Sequence, residues 1–516
     1  MKRHGSKGYG KTAKIGAAWG VFREAVKLVI FLPGAMLLAR MLSPEDFGIS
    51  AAAVLVITLA NRLGTLGLNS ALVRLKTIRS DHLSTVFTYN LAVGAAAFAA
   101  LQFAAPSIAR FYRRPEVGDA IAVAAVSFLF VPFGSINTAI FQREMRFKET
   151  AISEWVFAVI FPLVAVALAW SGFGFWSTVY GQLAARLSQV AVQVYQGRCW
   201  PRLHFSLPAF REVAPFGAGV AANRLLVFST ENVDSIIVGR LFGIAALGYY
   251  DKAFNTMSKL SEKLVVDPGV TFRIFSIIQD DAPRFHRAYR KVILSSALVG
   301  LPFFFALIVM APELLQVMYG PQWAPSILPF QLLCIVGALR VANGYSSAAI
   351  MAAGYAWARV GRSFLRIVVL VVAIFALQSW GIVGAATAVL VASLSSTVMT
   401  QTLLNRLVGL RWRQLAGPVL PGLVCTAILV PALVGTEFVV TSWLSAPSAL
   451  ILLAAKALTA VAVFVGFVVS FRIAGMAAVV EEVLADLAPP LQRFYVRVHR
   501  KLRGMEPVAD AQRGVA

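Results

Sequence analysis

Residues 38–48 read Leu38-Ala39-Arg40-Met41-Leu42-Ser43-Pro44-Glu45-Asp46-Phe47-Gly48. One apolar run enters this stretch and another leaves it, so it marks a helix end followed closely by a helix start. Ser43 is suited to cap the second helix, and Pro44 to its first position. Glu45 and Asp46 suit its first turn, where the helix dipole favours negative charge. A weaker copy lies further on: Val238-Gly239-Arg240-Leu241-Phe242-Gly243-Ile244-Ala245-Ala246-Leu247-Gly248. Arg40 aligns with Arg240, and Phe47-Gly48 with Leu247-Gly248. The echo predicts two related halves.

Composition decides the solvent. The chain has 516 residues, 59% hydrophobic and 14% charged, with a mean hydropathy of +0.75. A soluble domain carries about 25% charged residues. Many apolar runs approach the roughly 20 residues that cross a bilayer as a helix. They lack the alternation of an outer-membrane barrel, and backbone groups in lipid must be paired internally. The expectation is an all-α polytopic membrane protein. Fourteen spans are predicted, at about 15–42, 47–72, 82–105, 117–141, 150–171, 174–196, 213–240, 245–268, 288–311, 326–352, 364–380, 382–405, 415–440 and 447–471. An amphipathic segment near 476–503 closes the chain and reads as a helix lying on an anionic inner leaflet.

The formal charge of +23 fits either nucleic acid or an anionic membrane surface, and its placement separates the two. With the N-terminus inside, every second connection is cytoplasmic. Those connections hold Arg74/Lys76/Arg79, Arg143/Arg146/Lys148, Arg198/Arg202/Arg211, Arg284/Arg287/Arg290/Lys291, Arg359/Arg362/Arg366 and Arg406/Arg411/Arg413. Both tails are basic as well. The opposite connections are poor in Lys and Arg, apart from Arg110, Arg113 and Arg114. The charge is therefore mostly the positive-inside signal, with both termini cytoplasmic and no nucleic-acid partner. Cys199, Cys334 and Cys425 are far apart and form no CxxC, so neither a disulfide framework nor a zinc site is indicated. Arg23, Glu24 and Lys27 interrupt the first apolar run and no cleavage pattern follows, which predicts a retained helix rather than a signal peptide.

The repeat extends further. Ala105-Pro106-Ser107-Ile108 before Phe111-Tyr112 matches Ala311-Pro312-Glu313-Leu314 before Met318-Tyr319. Six spans per half is an even number, so the halves are expected to be parallel repeats, an arrangement that in transporters places the substrate between them. A charge at the bilayer centre costs about 2.5–3.5 kcal/mol even on lenient scales, so it normally faces protein or water. Here such charges gather in spans 1, 2, 7 and 8. Arg23 and Lys27 share a face of span 1 with Gly16 and Gly20; Arg62 lies among Thr58, Asn61, Thr65 and Asn69 in span 2. Span 7 holds Arg224, Glu231 and Asp234, and span 8 holds Lys252, Lys259 and Lys263. Two readings stand for these residues. They line a hydrated cationic cavity suited to phosphate or pyrophosphate, or they are internally paired and snorkelling charges. Glu24, Glu231 and Asp234 are candidates for binding a coupling H+ or Na+. Pro33-Gly34 and Asp267-Pro268-Gly269 are candidate hinges or ordinary helix ends.

Gly5-Ser6-Lys7-Gly8-Tyr9-Gly10-Lys11-Thr12 matches the P-loop pattern letter for letter, but no strand precedes it and a span follows, so it reads as a chance match. Asp280-Asp281 near His286 reads as a loop cap or a metal cluster. Nothing among the five histidines looks like an active site.

The opening stretch, followed by Leu66-Gly67-Leu68-Asn69-Ser70-Ala71-Leu72-Val73, resembles the start of the polysaccharide transporter (Wzx-type oligosaccharide flippase) family. Asn232-Val233-Asp234-Ser235-Ile236-Ile237-Val238-Gly239, followed by Ala246-Leu247-Gly248-Tyr249-Tyr250, resembles its second-half signature. The likeness covers about 15–410 and belongs to the superfamily of multidrug exporters and the lipid II flippase. It implies about 14 transmembrane helices: two parallel six-helix lobes, 1–204 and 205–410, forming a V-shaped central cavity, with helices 13–14 at 411–475 and a cytoplasmic basic tail at 476–516. The implied function is translocation of undecaprenyl-pyrophosphate-linked oligosaccharide repeat units from the cytoplasmic to the periplasmic leaflet of a bacterial inner membrane, by alternating access. Implied partners are membrane lipids, the lipid-linked oligosaccharide, a polysaccharide polymerase and a chain-length regulator. No cofactor is expected beyond a coupling H+ or Na+. Related flippases bind pyrophosphate through comparable segments, which points to Arg23, Arg62, Lys259 and Lys263. An ion-coupled drug exporter is the alternative, though it would carry a more acidic cavity. A membrane polymerase or ligase would need a larger extramembrane loop than about 106–118.

Overall fold

A computed structural model of the chain describes residues 27–64, 66–264, 268–409, 412–444 and 447–470. Arg23, Glu24, the P-loop-like stretch and the C-terminal amphipathic segment lie outside the described residues. So does the Asp267 of the second candidate hinge. The described residues are helical and contain no strand.

The helices, in order, begin with α1 (Leu32–Met41), entered through a π-helical turn at Lys27–Phe31, then α2 (Pro44–Gly64), α3 (Leu68–Arg74), α4 (Ser80–Tyr112), α5 (Pro115–Ala124) and α6 (Ser127–Arg143). Next come α7 (Phe147–Trp170), α8 (Trp176–Gly197), α9 (Leu207–Phe242), α10 (Ile244–Leu264), α11 (Pro268–Ile277) and α12 (Ala282–Tyr319). A 3-10 turn at Pro321–Ser326 leads into α13 (Ile327–Asn343), α14 (Ser346–Ala352) and α15 (Ala356–Ala376); α16 (Gly381–Val408), α17 (Trp412–Trp443) and α18 (Ala449–Ser470) complete the order.

Nine helical stretches among the described residues are long and apolar enough to cross a membrane. Helices also stand at the other five predicted positions, as α1, α8, α9, α10 and α15. Among these, α9 and α10 carry the charges singled out from sequence, and α15 takes in Arg359, Arg362 and Arg366, which the sequence reading had placed in a connection. The chain is thus a multi-pass α-helical membrane protein.

In the first half, α2 gives way to α3 at Leu66-Gly67, and α5 to α6 at Ala125-Val126. In the second half, α13 gives way to α14 at Gly344-Tyr345. Pro106 of α4 and Pro312 of α12 each lie near the end of a long helix, matching the second echo in the letters.

Internal contacts gather the chain into two compact units. One comprises residues up to Phe254 with Met318–Pro329 and Arg366–Val389; the other comprises Asn255–Val317, Phe330–Leu365 and residues from Leu390 onward. Each has a core built from corresponding helices. Leu68 and Leu72 of α3, Phe87 of α4 and Ile136 of α6 pack together in the first. Phe275 of α11, Phe285 and Tyr289 of α12 and Ile350 of α14 do so in the second.

The Ser43-Pro44-Glu45-Asp46 turn folds as its letters predict. α2 begins at Pro44. Ser43 Oγ accepts the Asp46 N–H at 3.1 Å, and Asp46 Oδ2 accepts the Ser43 N–H at 3.0 Å. This is a reciprocal cap that satisfies two otherwise orphaned donors. Asp46 Oδ1 also accepts the Phe175 N–H at 2.9 Å, tying the turn to the start of α8. Arg114, one of the exceptions to the charge rule, pairs with Glu45 at 2.6 Å. The carbonyl end of α1 is satisfied from far along the chain: Trp323 Nε1 donates to Ala39 O at 2.8 Å, and Gln322 Nε2 donates to Ala39 O at 2.6 Å and Leu42 O at 3.2 Å.

The two copies of the opening motif pack directly against each other within the first unit. A Cβ built on Gly48 would collide with the Ile244 carbonyl, and one on Gly248 with the Pro44 carbonyl. The contact is reciprocal: each glycine admits the backbone at the start of the other's helix.

Arg143, placed by sequence among the topology charges, closes a helix. Its guanidinium donates to the carbonyls of Leu72 (3.0 Å), Val73 (3.3 Å), Leu75 and Lys76 (2.9 Å) at the end of α3. Positive charge there also meets the negative helix end. Arg143→Ala is expected to cost about 2 kcal/mol, since hydrogen bonds to charged groups are worth about 1.5–3 kcal/mol. The measurement is the melting temperature of the detergent-solubilised protein, with Arg143→Lys recovering only part because one ammonium cannot span four carbonyls.

Candidate functional site

The break between α2 and α3 positions a polar cluster. Gly67 there adopts φ +59, a left-handed conformation that glycine enters without strain. The partner surface is Gly217 of α9, where a Cβ would meet the Leu66 carbonyl. Close approach of α9 at this break brings Arg224 within reach of α3, and Arg224 Nη2 donates to Ser70 Oγ at 3.1 Å. Beside Ser70, Asn69 Oδ1 accepts from Asn90 Nδ2 at 3.2 Å, and Asn90 also reaches Ser135 Oγ at 3.3 Å. Asn90 is buried, and its Oδ1 has no hydrogen-bond partner among the described residues. Asn69, Asn90 and Ser135 line a small cleft of about 40 Å³ with Asn61, Gly94 and Phe128. Arg62 is half-buried next to Asn61. The cluster offers amides, hydroxyls and a guanidinium, a donor-rich set suited to an anion or to hydroxylated groups.

The other candidate residues have distinct settings. Lys252 Nζ stands 3.8 Å from the ring centre of Phe47, 4.9 Å from Tyr319 and 5.5 Å from Trp323, an aromatic cage that satisfies a cation through ring faces. Asp234 is buried and accepts the Tyr250 hydroxyl at 2.6 Å, joining α9 to α10. That bond links the two parts of the second-half signature. Glu231 is exposed on α9. Arg62, Arg224, Lys252, Glu231 and Asp234 belong to the first unit, while Lys259 and Lys263 are exposed on the part of α10 in the second. Lys27 lies in the π-helical turn before α1.

Two arginines with buried-side polar contacts were not among the site candidates read from sequence. Arg340 Nη1 donates to Ser258 Oγ at 3.1 Å, beside Lys259 on α10. Arg362 donates to Thr400 and Ser347, each at 2.8 Å, within the second unit. An arginine inside the predicted 326–352 span was the available signal for Arg340. Arg362 lacked one because its helix was predicted to start later.

The acidic motif resolves as structure. Asp281 Oδ1 accepts the Arg284 N–H at 3.0 Å, capping α12, and His286 Nε2 bonds Val408 O at 2.7 Å. Among the described residues no group of three or more His, Cys, Asp or Glu could hold a metal. Near the start of α9, hydrogen bonds from Arg79 and then His82 hold the exposed Glu212 carboxyl below the usual range.

Known proteins place this geometry. The solved structure of the lipid II flippase MurJ in an inward closed conformation superposes with a TM-score of 0.69 at 12% identity, covering 88% of this chain and 97% of that one. An inward-facing multidrug resistance MATE family transporter of the MOP superfamily gives 0.60 at 14% identity, covering 75% of this chain and 98% of that one. The fold is that of these transporters. In sequence, the lipopolysaccharide biosynthesis protein WzxC of Escherichia coli is 25% identical over 356 residues, 68% of this chain and 71% of its own. The succinoglycan biosynthesis transport protein ExoT of Rhizobium meliloti is 26% identical, covering 61% of this chain and 64% of its own. The profile of the family described as "Polysaccharide biosynthesis protein" matches residues 37–328, more than half of the chain and both copies of the opening motif, and the protein belongs to that family.

Proposed function

We propose that the protein is a flippase that moves undecaprenyl-pyrophosphate-linked oligosaccharide repeat units from the cytoplasmic to the periplasmic leaflet of a bacterial inner membrane, by alternating access of two lobes, 1–204 and 205–410. The repeat units then feed exopolysaccharide, capsule or O-antigen synthesis. The observation that carries the reading is membership of the polysaccharide biosynthesis family in a chain with the fold of MurJ and MATE transporters.

The cationic side chains in the charged spans support it. A pyrophosphate needs several well-placed donors, and arginine can meet it in a bidentate manner. Arg224 lies in the donor-rich cluster of the first unit and Arg62 is half-buried on α2, while Lys259 and Lys263 are exposed on α10 in the second. Arg23 and Lys27 are further candidates for binding the anion. Lys252, within its aromatic cage, is a further candidate. A basic lining favours the lipid-linked anion over a cationic drug. Both termini are assigned to the cytoplasm from the distribution of Lys and Arg, and a polymerase and a chain-length regulator would act on the product. The coupling ion would be H+ or Na+, with Glu24, Glu231 and Asp234 as candidate carriers.

The test is charge reversal. In cells carrying Arg62→Glu with Lys259→Glu, membrane-inserted protein is expected at normal level while lipid-linked repeat units accumulate in the cytoplasmic leaflet and surface polysaccharide falls at least about tenfold, the effect of losing about 1.4 kcal/mol of binding. Normal surface polysaccharide in this double variant would remove the cationic wall from the mechanism.

A further inference from the structure

From Leu314 to Thr436 the chain holds seven arginines and no Asp, Glu or Lys. Helices α13 to α16 lie inside that stretch. Two of its arginines make contacts inside the second unit rather than in a connection. Arg362 of α15 is half-buried, and its guanidinium donates to Thr400 Oγ1 of α16 and to Ser347 Oγ of α14, each at 2.8 Å. Thr400 gives its own proton to Ser396 O at 2.6 Å, so its hydroxyl is oriented to accept from Arg362. A polar seam continues from there. Asn343 of α13 donates at 3.1 Å to Thr397, one turn from Thr400 on α16. Arg340, one turn before Asn343, donates to Ser258 of α10 at 3.1 Å.

A hydroxyl orients a guanidinium without neutralising it. The acids of the second unit stand on other elements. Asp280 and Asp281 lie in the turn before α12, where Asp281 caps the helix. Glu313 and Glu437 flank the buried Lys456 at 2.7 Å and 2.8 Å, among α12, α17 and α18. Glu262 is exposed on α10. The seam between α13 and α16 is therefore cationic, and a charge in such spans normally faces protein or water. Three elements fix its level. Arg362 is six residues from the start of α15, Ser347 five from the end of α14, and Thr400 eight from the end of α16. At 1.5 Å per residue, all lie within about 12 Å of those helix ends. On the topology read from Lys and Arg, that side is cytoplasmic.

We propose that Arg362, oriented by Ser347 and Thr400, forms a binding site for the phosphate of an anionic lipid headgroup from the inner leaflet. Basic pockets between helices on the cytoplasmic side suit such headgroups. A guanidinium meets phosphate through parallel N–H groups, and bonds to two different helices fix the plane in which it does so. The seam through Asn343 carries polar contacts deeper, to Arg340 and Ser258 next to Lys259. The helices of this site, α14 to α16, are separate from the four charged spans read from sequence. The lipid is a resident phospholipid or, on the flippase reading, the pyrophosphate-linked substrate at its point of entry. The chemistry at Arg362 is the same for both, so the site itself does not rest on that reading.

The test titrates the full chain, in uncharged detergent, with fluorescent phosphatidylglycerol and measures saturable binding. Arg362→Gln is expected to weaken binding at least about tenfold, the scale of one lost charge-assisted contact. Arg362→Lys should recover only part, because an ammonium lacks the fork. Arg287→Gln removes an exposed charge on α12 of the same unit and should leave binding unchanged. Ser347→Ala keeps the arginine and its charge, disturbs packing least, and is expected to weaken binding about threefold. Unlabelled competitors separate the two lipid sources. Displacement by undecaprenyl pyrophosphate at lower concentration than by phosphatidylglycerol supports a site for the transported lipid. Equal displacement supports a resident-lipid site and leaves the flippase reading to the Arg62 and Lys259 test. Arg362→Gln and Ser347→Ala binding as tightly as the parent would overturn the proposal. So would inorganic phosphate displacing the probe as well as the lipids do, which would make this a free-anion site.

Discussion

Alanine at Gly48 or at Gly248 is expected to cost about 3 kcal/mol, the upper range for overpacking a close contact. The obstruction at each position is a carbonyl of the facing helix, Ile244 or Pro44, and backbone cannot swing aside as a long side chain can. Only separation of α2 from α10 relieves it. That separation would also disturb the Ser43–Asp46 cap and the buried Leu247 and Tyr250 beside the contact. The loss should therefore appear both as a lower melting temperature in detergent and as less protein in the membrane. Gly219→Ala is the control, because a Cβ there meets nothing within 4 Å and alanine is the better helix former. Equal melting temperatures for Gly248→Ala and Gly219→Ala would show that the two motifs do not touch as described.

Lys456→Met is expected to cost about 3–5 kcal/mol at neutral pH, the range for breaking a buried pair and leaving a charge without its partner. Methionine fills much the same volume, so the cost is electrostatic rather than a cavity. The variant leaves the buried Glu313 carboxylate without its cation. Lys456→Met combined with Glu313→Leu should recover most of the loss, because removing both buried partners is often neutral. Thermal melts of the single and double variants at neutral pH check both points. A single variant as stable as the parent would mean that water already reaches these groups.

The general outline was legible in residue order. Hydropathy over windows near a bilayer's width identified the spans, because helices in lipid must satisfy their own backbone and so write long apolar runs. The Ser43-Pro44-Glu45-Asp46 turn was readable because capping depends on neighbours a few residues apart. The repeat was visible at Gly48 and Gly248. The candidate residues in α2, α9 and α10 were found by one rule, that a charge within an apolar run has to be explained. The same rule pointed to Lys456 and Arg340, but attention to the first two spans of each half passed them over.

Contacts between distant residues were not legible. That Gly48 and Gly248 face each other depends on two helices meeting two hundred residues apart, and a glycine looks alike in sequence whether it faces lipid or a carbonyl. Lys252, read as a cavity charge, proved to be held by Phe47, Tyr319 and Trp323, and Asp234 by Tyr250. Arg143, read as a topology signal, closes α3. Sequence by itself determined the solvent, the helices, the repeat and which side chains are ionisable. Tertiary structure alone decided which of those charges are paired and by what, because a charge's free energy is set by the groups within a few ångströms of it, and in a folded chain those groups come from anywhere along its length.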